Sequence, residues 1–104
     1  MKLLFVTCLE DFKADVIKIF HEAHVKVFSF MEATGIKDER DANLLDDWFG
    51  NKEGEFRSLI LFSFTSSETA AEAVRLIKVY NETDGSRFPV RAFIMPVEDS
   101  NYLP

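Results

Sequence analysis

The spacing of apolar positions changes repeatedly along the chain, and each change marks an element. Leu3 to Leu9 (LLFVTCL) is a short continuous apolar run with no polar side to leave wet, so it predicts a central strand covered on both faces. Behind it Phe12, Val16, Ile19, Phe20 and Ala23 recur at helical spacing, with Lys13, Asp15, Lys18 and Glu22 pointing away and Asp11 placed as N-cap. From Val25 to Glu32 the period drops to two. Val25, Val27, Ser29 and Met31 fall on one side of that strand, and Lys26, Phe28, Phe30 and Glu32 on the other. It ends at Ala33-Thr34-Gly35, where Gly35 supplies a backbone turn that other residues resist.

A polar, acid-rich stretch then breaks the pattern, Gly35 to Arg57 (GIKDERDANLLDDWFGNKEGEFR). Irregular segments of this length are uncommon inside compact domains and tend to carry function. Its two parts differ. Gly35 to Leu45 reads as a mobile loop, whereas Gly50, Asn51 and Gly54 are turn formers that predict a hairpin tip over Trp48–Arg57.

The second half repeats the first. Ser58 to Phe64 (SLILFSF) is another apolar strand, and Thr65-Ser66-Ser67-Glu68 fits a capping box. The helix it opens buries Ala70, Ala73, Val74, Ile77 and Tyr80, and Asn81 to Ser86 ends it with Gly85 as breaker. Val90 to Met95 is the last strand, flanked by Pro89 and Pro96, which suit a sheet edge.

The order βαββαβ predicts an α+β fold over residues 1–104 as a single domain. It is a ferredoxin-like sandwich with an antiparallel four-stranded sheet, two helices on one face and a long β2–β3 loop or hairpin. Right-handed crossovers place the two apolar runs in the middle of the sheet. Two helices cover only one face of four strands. If Val25, Val27, Val90, Ala92 and Ile94 face the helices, Phe28, Phe30, Phe93 and Met95 face away. An apolar patch of that size marks an interface, and the expected occupant is another copy of the chain in a closed homo-oligomer.

Composition narrows the classes further. A chain of 104 residues, 47% hydrophobic and 29% charged, holds one core. Its net charge of −6 argues against nucleic acid, whose phosphates need clustered Lys and Arg. One Cys excludes an intrachain disulfide and fits a reducing cytoplasm. Met1-Lys2 before LLFVTC superficially resembles a signal or lipoprotein site. Glu10-Asp11 follow at once and Thr7 is not the small residue a lipidated Cys needs, so a buried strand is expected. No run reaches the length of a membrane span, and the protein is expected not to insert in membranes.

Catalytic chemistry finds no support. His21 and His24 lie three apart near a helix C-terminus, where capping is the expected role, and Cys8 sits apart in an apolar strand, so no metal site is expected. The acids Asp38, Glu39, Asp41, Asp46 and Asp47 match no calcium loop. There is no nucleophile elbow, and four glycines leave no phosphate cradle. A non-enzymatic protein is expected, with its cofactor unspecified.

Two stretches carry a family resemblance. MKLLFVTCLEDFKADVIKIF resembles the first strand and helix of PII signalling proteins, and RAFIMPVED, Arg91 to Asp99, resembles their last strand with its Pro-Val-Glu-Asp ending. The polar interruption stands where that family carries its long T-loop. DDWFGNKEGEFRSLILFSF and FPVRAFIMPVEDSNYL also resemble the hairpin and final strand of the related CutA proteins.

The resemblance implies a trimer with its sheets turned inward and ligand clefts between neighbouring subunits. It places Gly35 and Lys37 at the loop base and Arg91 at the position of a phosphate-contacting lysine. Trp48 and Phe49 become candidates for contact with a partner protein, a transporter or an enzyme, or for packing. Departures are also visible. NETDGSRFPV has one glycine where PII proteins have a glycine-rich loop, SNYLP has no arginine, and no tyrosine lies in the loop. These count against nucleotide binding of the usual PII kind. The leading expectation is a cytoplasmic PII-like regulatory protein that senses a small ligand. The alternative is a CutA-like divalent-cation tolerance or metal-binding protein. A third reading is an amino-acid-binding domain of the ACT type, which shares the element order and would be dimeric.

Overall fold

The computed structural model describes residues 1–37, 54–84 and 88–102. Strand β1 (Lys2–Leu9) leads through a 3-10 turn (Glu10–Phe12) into helix α1 (Lys13–Glu22). Strands β2 (Ser29–Lys37) and β3 (Gly54–Thr65), helix α2 (Ser67–Asp84) and strand β4 (Arg91–Pro96) follow. The sheet order is β2-β3-β1-β4, and every neighbouring pair is antiparallel. This is the expected α+β sandwich. The two runs that lack a polar side, β1 and β3, occupy the centre, and β4 with its flanking prolines lies at an edge.

One sheet face is closed by the helices. Leu4, Val6 and Cys8 of β1 and Leu59 and Leu61 of β3 meet Val16, Ile19 and Phe20 of α1 and Ala70, Ala73 and Ile77 of α2. Phe20 and Leu61 are fully buried, and each such side chain stabilises the fold by roughly 2–3 kcal/mol. Phe28 stands edge-on to Phe20 at 5.0 Å between ring centroids. Phe12 meets Tyr80 in the same manner at 6.4 Å.

The element ends differ from expectation in ways the local chemistry explains. Asp11 is not the N-cap of α1; it lies inside the 3-10 turn, and Phe12 holds the cap position without a side-chain bond. The cap of α2 is Ser66 rather than Thr65, which still belongs to β3. The Ser66 hydroxyl accepts the Thr69 N–H at 3.2 Å and donates to the Thr69 hydroxyl at 3.0 Å. Helix α2 also runs on to Asp84, taking in Asn81, because residues 81–84 contain neither Gly nor Pro.

The largest difference is at β2, which starts at Ser29 rather than Val25 and runs through to Lys37 rather than ending at Ala33-Thr34-Gly35. Helix α1 ends on His24 in the left-handed region (φ 65°), and the Val25 N–H returns to the Phe20 carbonyl at 2.9 Å. That closing turn uses up Val25, whose side chain enters the core. Ser63 then donates to the Val27 carbonyl at 2.6 Å, leaving Val27 itself 81% exposed. At the far end Gly35 makes no turn. It pairs with Phe56 in the ladder, and β3 correspondingly starts at Gly54 instead of Ser58.

The shift reassigns the phenylalanines. Directly paired residues share a sheet face. Phe30 pairs with buried Leu61 and so faces the helices, where the Lys13 ammonium lies 3.8 Å from its ring centroid. Phe28 packs on α1. Neither reaches the open face, contrary to the alternation over Val25–Glu32. Phe93 and Met95 do, opposite Phe5 and Leu3. Ile94, expected on the helix side, pairs with buried Leu4 and is on that side, though 40% exposed at the sheet edge.

Candidate functional site

No helix among the described residues is long and apolar enough to cross a membrane. The first candidate is the open sheet face. Following the register, Leu3, Phe64 and Met95 form one row across the strands, and Phe5, Phe62 and Phe93 the next. Phe62 and Phe64 stand edge to face at 6.4 Å. Phe64 is 56% exposed, Met31 47% and Met95 39%. This is a contiguous apolar surface built from the two central strands and both edges.

Its character changes one row further along. There Thr7 pairs with Arg91 on β4 and with Ile60 on β3, and Ser58 follows. Thr7 and Ser58 are buried, Arg91 is half-buried, and every buried side-chain nitrogen and oxygen among the described residues has a hydrogen-bond partner. A cation and two hydroxyls on one face suit a small anion or a polar contact.

The three expected ligand residues do not meet within one chain. Gly35 and Lys37 lie on β2, at one edge of the sheet, and Arg91 lies on β4 at the other. Arg91 is level with Met31 through Thr7 and Ile60, and Gly35 is four residues beyond Met31. Strand spacing and rise then separate the Gly35 and Arg91 backbones by roughly 20 Å, and Lys37 from Arg91 by more. Gly35 is buried. Trp48 and Phe49, the acids from Asp38 to Asp47, and Gly50, Asn51 and Gly85 lie outside the described residues.

Other candidates resolve into structural roles. Cys8 is buried in the core, and burial pushes its thiol up to about 11, the opposite of an activated nucleophile. No group of three or more His, Cys, Asp or Glu among the described residues is placed to share a metal ion. Between α1 and α2 runs a shallow cleft of about 280 Å³ lined by Asp15, Lys18, Glu22, Leu76, Val79 and Tyr80. Across it the Tyr80 hydroxyl donates to the Asp15 carboxylate at 2.7 Å, bracing the helices together. On the outer face of α2 the Arg75 guanidinium donates to both Glu72 carboxylate oxygens at 2.8 Å. That hydrogen bond holds the Glu72 carboxyl below its ordinary value. Both groups are exposed, so the pair adds little to stability.

One arrangement escaped the sequence reading altogether. Asn81 hydrogen-bonds both backbone groups of Val90 across the α2–β4 connection. Its only sequence signal is a helix-breaking polar run, which looks the same whether or not the amide is used.

The chain has the fold of PII-like proteins. Solved structures similar to it include a candidate PII-like signalling protein from Thermus thermophilus at 15% identity, with a TM-score of 0.61 over 89% of this chain and 82% of that one. A DUF3240 family protein from Shewanella baltica is similar at 21% identity, with a TM-score of 0.54 over 99% and 96%. CPII, a nitrogen regulatory PII-like protein from Thiomonas intermedia solved with ADP, AMP and bicarbonate, is similar at 11% identity, with a TM-score of 0.60 over 95% and 93%. No protein-family profile and no curated protein matches the chain.

Proposed function

We propose that this chain is a PII-like regulatory protein, a non-enzymatic cytoplasmic homotrimer. It senses a small anionic ligand in clefts between subunits and contacts a partner protein, a transporter or an enzyme, through its 35–57 segment. One observation carries the reading: the open sheet face is apolar across β1, β3 and β4, and Gly35 and Arg91 stand on opposite edges of that sheet. Packing such faces against one another buries the apolar rows. It also brings the β2 edge of one subunit to the β4 edge of the next, so that Gly35 and Lys37 meet a neighbour's Arg91. Trp48 and Phe49 supply apolar contact to the partner. The PII-like fold and the ligands of the Thiomonas protein support this choice.

The test combines mass and binding. Sedimentation equilibrium is expected to give a trimer at micromolar concentration. ADP, AMP and bicarbonate are then titrated against the wild type and Arg91→Ala, with a loss of roughly tenfold or more in affinity for the ligand that binds, the usual scale for a charged hydrogen bond. A monomer, or binding indifferent to Arg91→Ala, overturns the reading.

The CutA-like alternative has one observation in its favour. Beyond the helix-covered sheet, Thr34–Lys37 and Gly54–Arg57 stay paired as a two-stranded ribbon, a rigid base of the kind a fixed hairpin needs. Thermal stabilisation by divalent cations alone, with none by the three anions, would select that reading.

A further inference from the structure

A side chain of α2 holds the residue that precedes β4. Asn81 donates from Nδ2 to the Val90 carbonyl at 2.9 Å and accepts the Val90 N–H on Oδ1 at 3.0 Å. A carboxamide engaged in this way offers Val90 the same donor and acceptor that a neighbouring strand would. The ladder of β4 begins one residue later, with Arg91 opposite Thr7. Arg91 is therefore the first residue of its strand, and strand ends are where native structure opens most easily. Pro89, just before, has no N–H to add.

We propose that Asn81 is the positioning residue for Arg91. By pinning both backbone groups of Val90 it lengthens the β4 ladder by one residue and keeps the Arg91 backbone in register with Thr7. The guanidinium is then presented from a fixed point. Asn81 is half-buried and the Val90 side chain is 2% exposed, so water replaces these bonds poorly if they are lost. The positioning stands on this geometry alone; its purpose, holding a cation for an anionic ligand, rests on the function proposed above. A residue that is competent only part of the time lowers apparent affinity in proportion, so the clamp acts on binding without touching the ligand.

The competing explanation is that burial of the Val90 side chain holds Arg91 unaided. Amide hydrogen exchange and the Arg91 Nε–Hε resonance of ¹⁵N-labelled protein separate the two without any ligand. In Asn81→Ala, protection of the Arg91 amide is expected to fall roughly tenfold while that of Leu61 at the sheet centre is unchanged, and the Arg91 Nε–Hε signal is expected to shift and broaden. Asn81→Asp keeps the acceptor for the Val90 N–H but sets a carboxylate oxygen against the Val90 carbonyl in place of the donor, so a loss of Arg91 protection is expected here too; it serves as the test variant should Asn81→Ala fold poorly. Unchanged Arg91 protection and signal in a folded variant overturn the proposal. ADP is then titrated at a temperature where wild type and variant are both folded. Weakening of roughly three- to tenfold in Asn81→Ala accompanies the positioning role. If Arg91→Ala leaves ADP binding intact while Asn81→Ala still frees the Arg91 backbone, the positioning stands and the ligand role of Arg91 falls.

Discussion

The two faces of the sheet are made by the same strands, from residues that alternate along them, yet they end in opposite states. On one face Leu4, Val6, Leu59 and Leu61 are exposed by no more than 2%. On the other, neighbours of the same apolar kind such as Phe64 and Met95 keep 56% and 39% of their surface. Hydrophobicity does not distinguish them; cover does. Two helices of 10 and 18 residues supply enough apolar surface for one face, and the chain holds no third layer among its described residues. Side chains on the first face hold the subunit together. Those on the second are left open to contact other molecules, and the proposed oligomer uses them to hold subunits together.

A pair of substitutions on opposite faces of β3 tests that division directly. Leu61→Ala empties a site in the closed core and is expected to cost about 3–5 kcal/mol, the range for such cavities, read from urea denaturation. Phe64→Glu, on the open face of the same strand, places a charge in the expected interface. It is expected to convert the assembly to monomers by sedimentation, with the subunit's circular dichroism retained. If Phe64→Glu unfolds the subunit instead, the open face is part of the core and the comparison fails.

Cys8 reports how dry the covered face is. Burial pushes its thiol from an ordinary 9.0 to about 11 because the thiolate is the form that desolvation penalises. Above pH 9.0 the unfolded chain releases this proton while the folded chain keeps it. Stability from this group is therefore fully present below pH 9.0 and is lost as pH rises towards 11, by about 2–3 kcal/mol in all. Cys8→Ala lacks that loss and otherwise shares the titration of the remaining groups. The stability gap between wild type and Cys8→Ala is expected to change by most of that amount, about 2 kcal/mol, between pH 9.0 and 11. A constant gap would mean that water reaches the thiol.

Much of this architecture was legible in the residues. The continuous runs at β1 and β3 named the centre of the sheet, the helical spacing of Val16, Ile19 and Phe20 named the face of α1, and Phe93 and Met95 on the last strand pointed to a second apolar surface. What failed was the phase of β2. Val25 and Val27 alternate with Lys26 and Phe28 as a strand would, but a left-handed residue, His24, and one hydroxyl bond from Ser63 on a distant strand decide where the ladder starts. Neither has a signature in a local window. The same limit applies to the site. Arg91 was visible as a cation in an apolar strand, at the edge opposite Gly35 once the two apolar runs take the centre, whereas its support by Asn81 depends on a contact across the connection.

The smallest expected effect isolates that turn. His24 holds φ 65° without being glycine, a conformation that costs an ordinary residue about 1–2 kcal/mol. His24→Gly removes that strain but gives the unfolded chain more freedom, which takes back about 0.4–1 kcal/mol. It also removes a weak attraction between His24 and the exposed Glu72 carboxylate. The net is a gain of about 0.5–1 kcal/mol, a rise of a few degrees in melting temperature by calorimetry. Since His24 lies at the end of α1, away from Phe64 and the open rows, the gain is expected without any change in sedimentation mass. A variant that stabilises the subunit and leaves the assembly alone would show that the two faces are energetically separate, and a shift in both would show that the α1–β2 turn couples them.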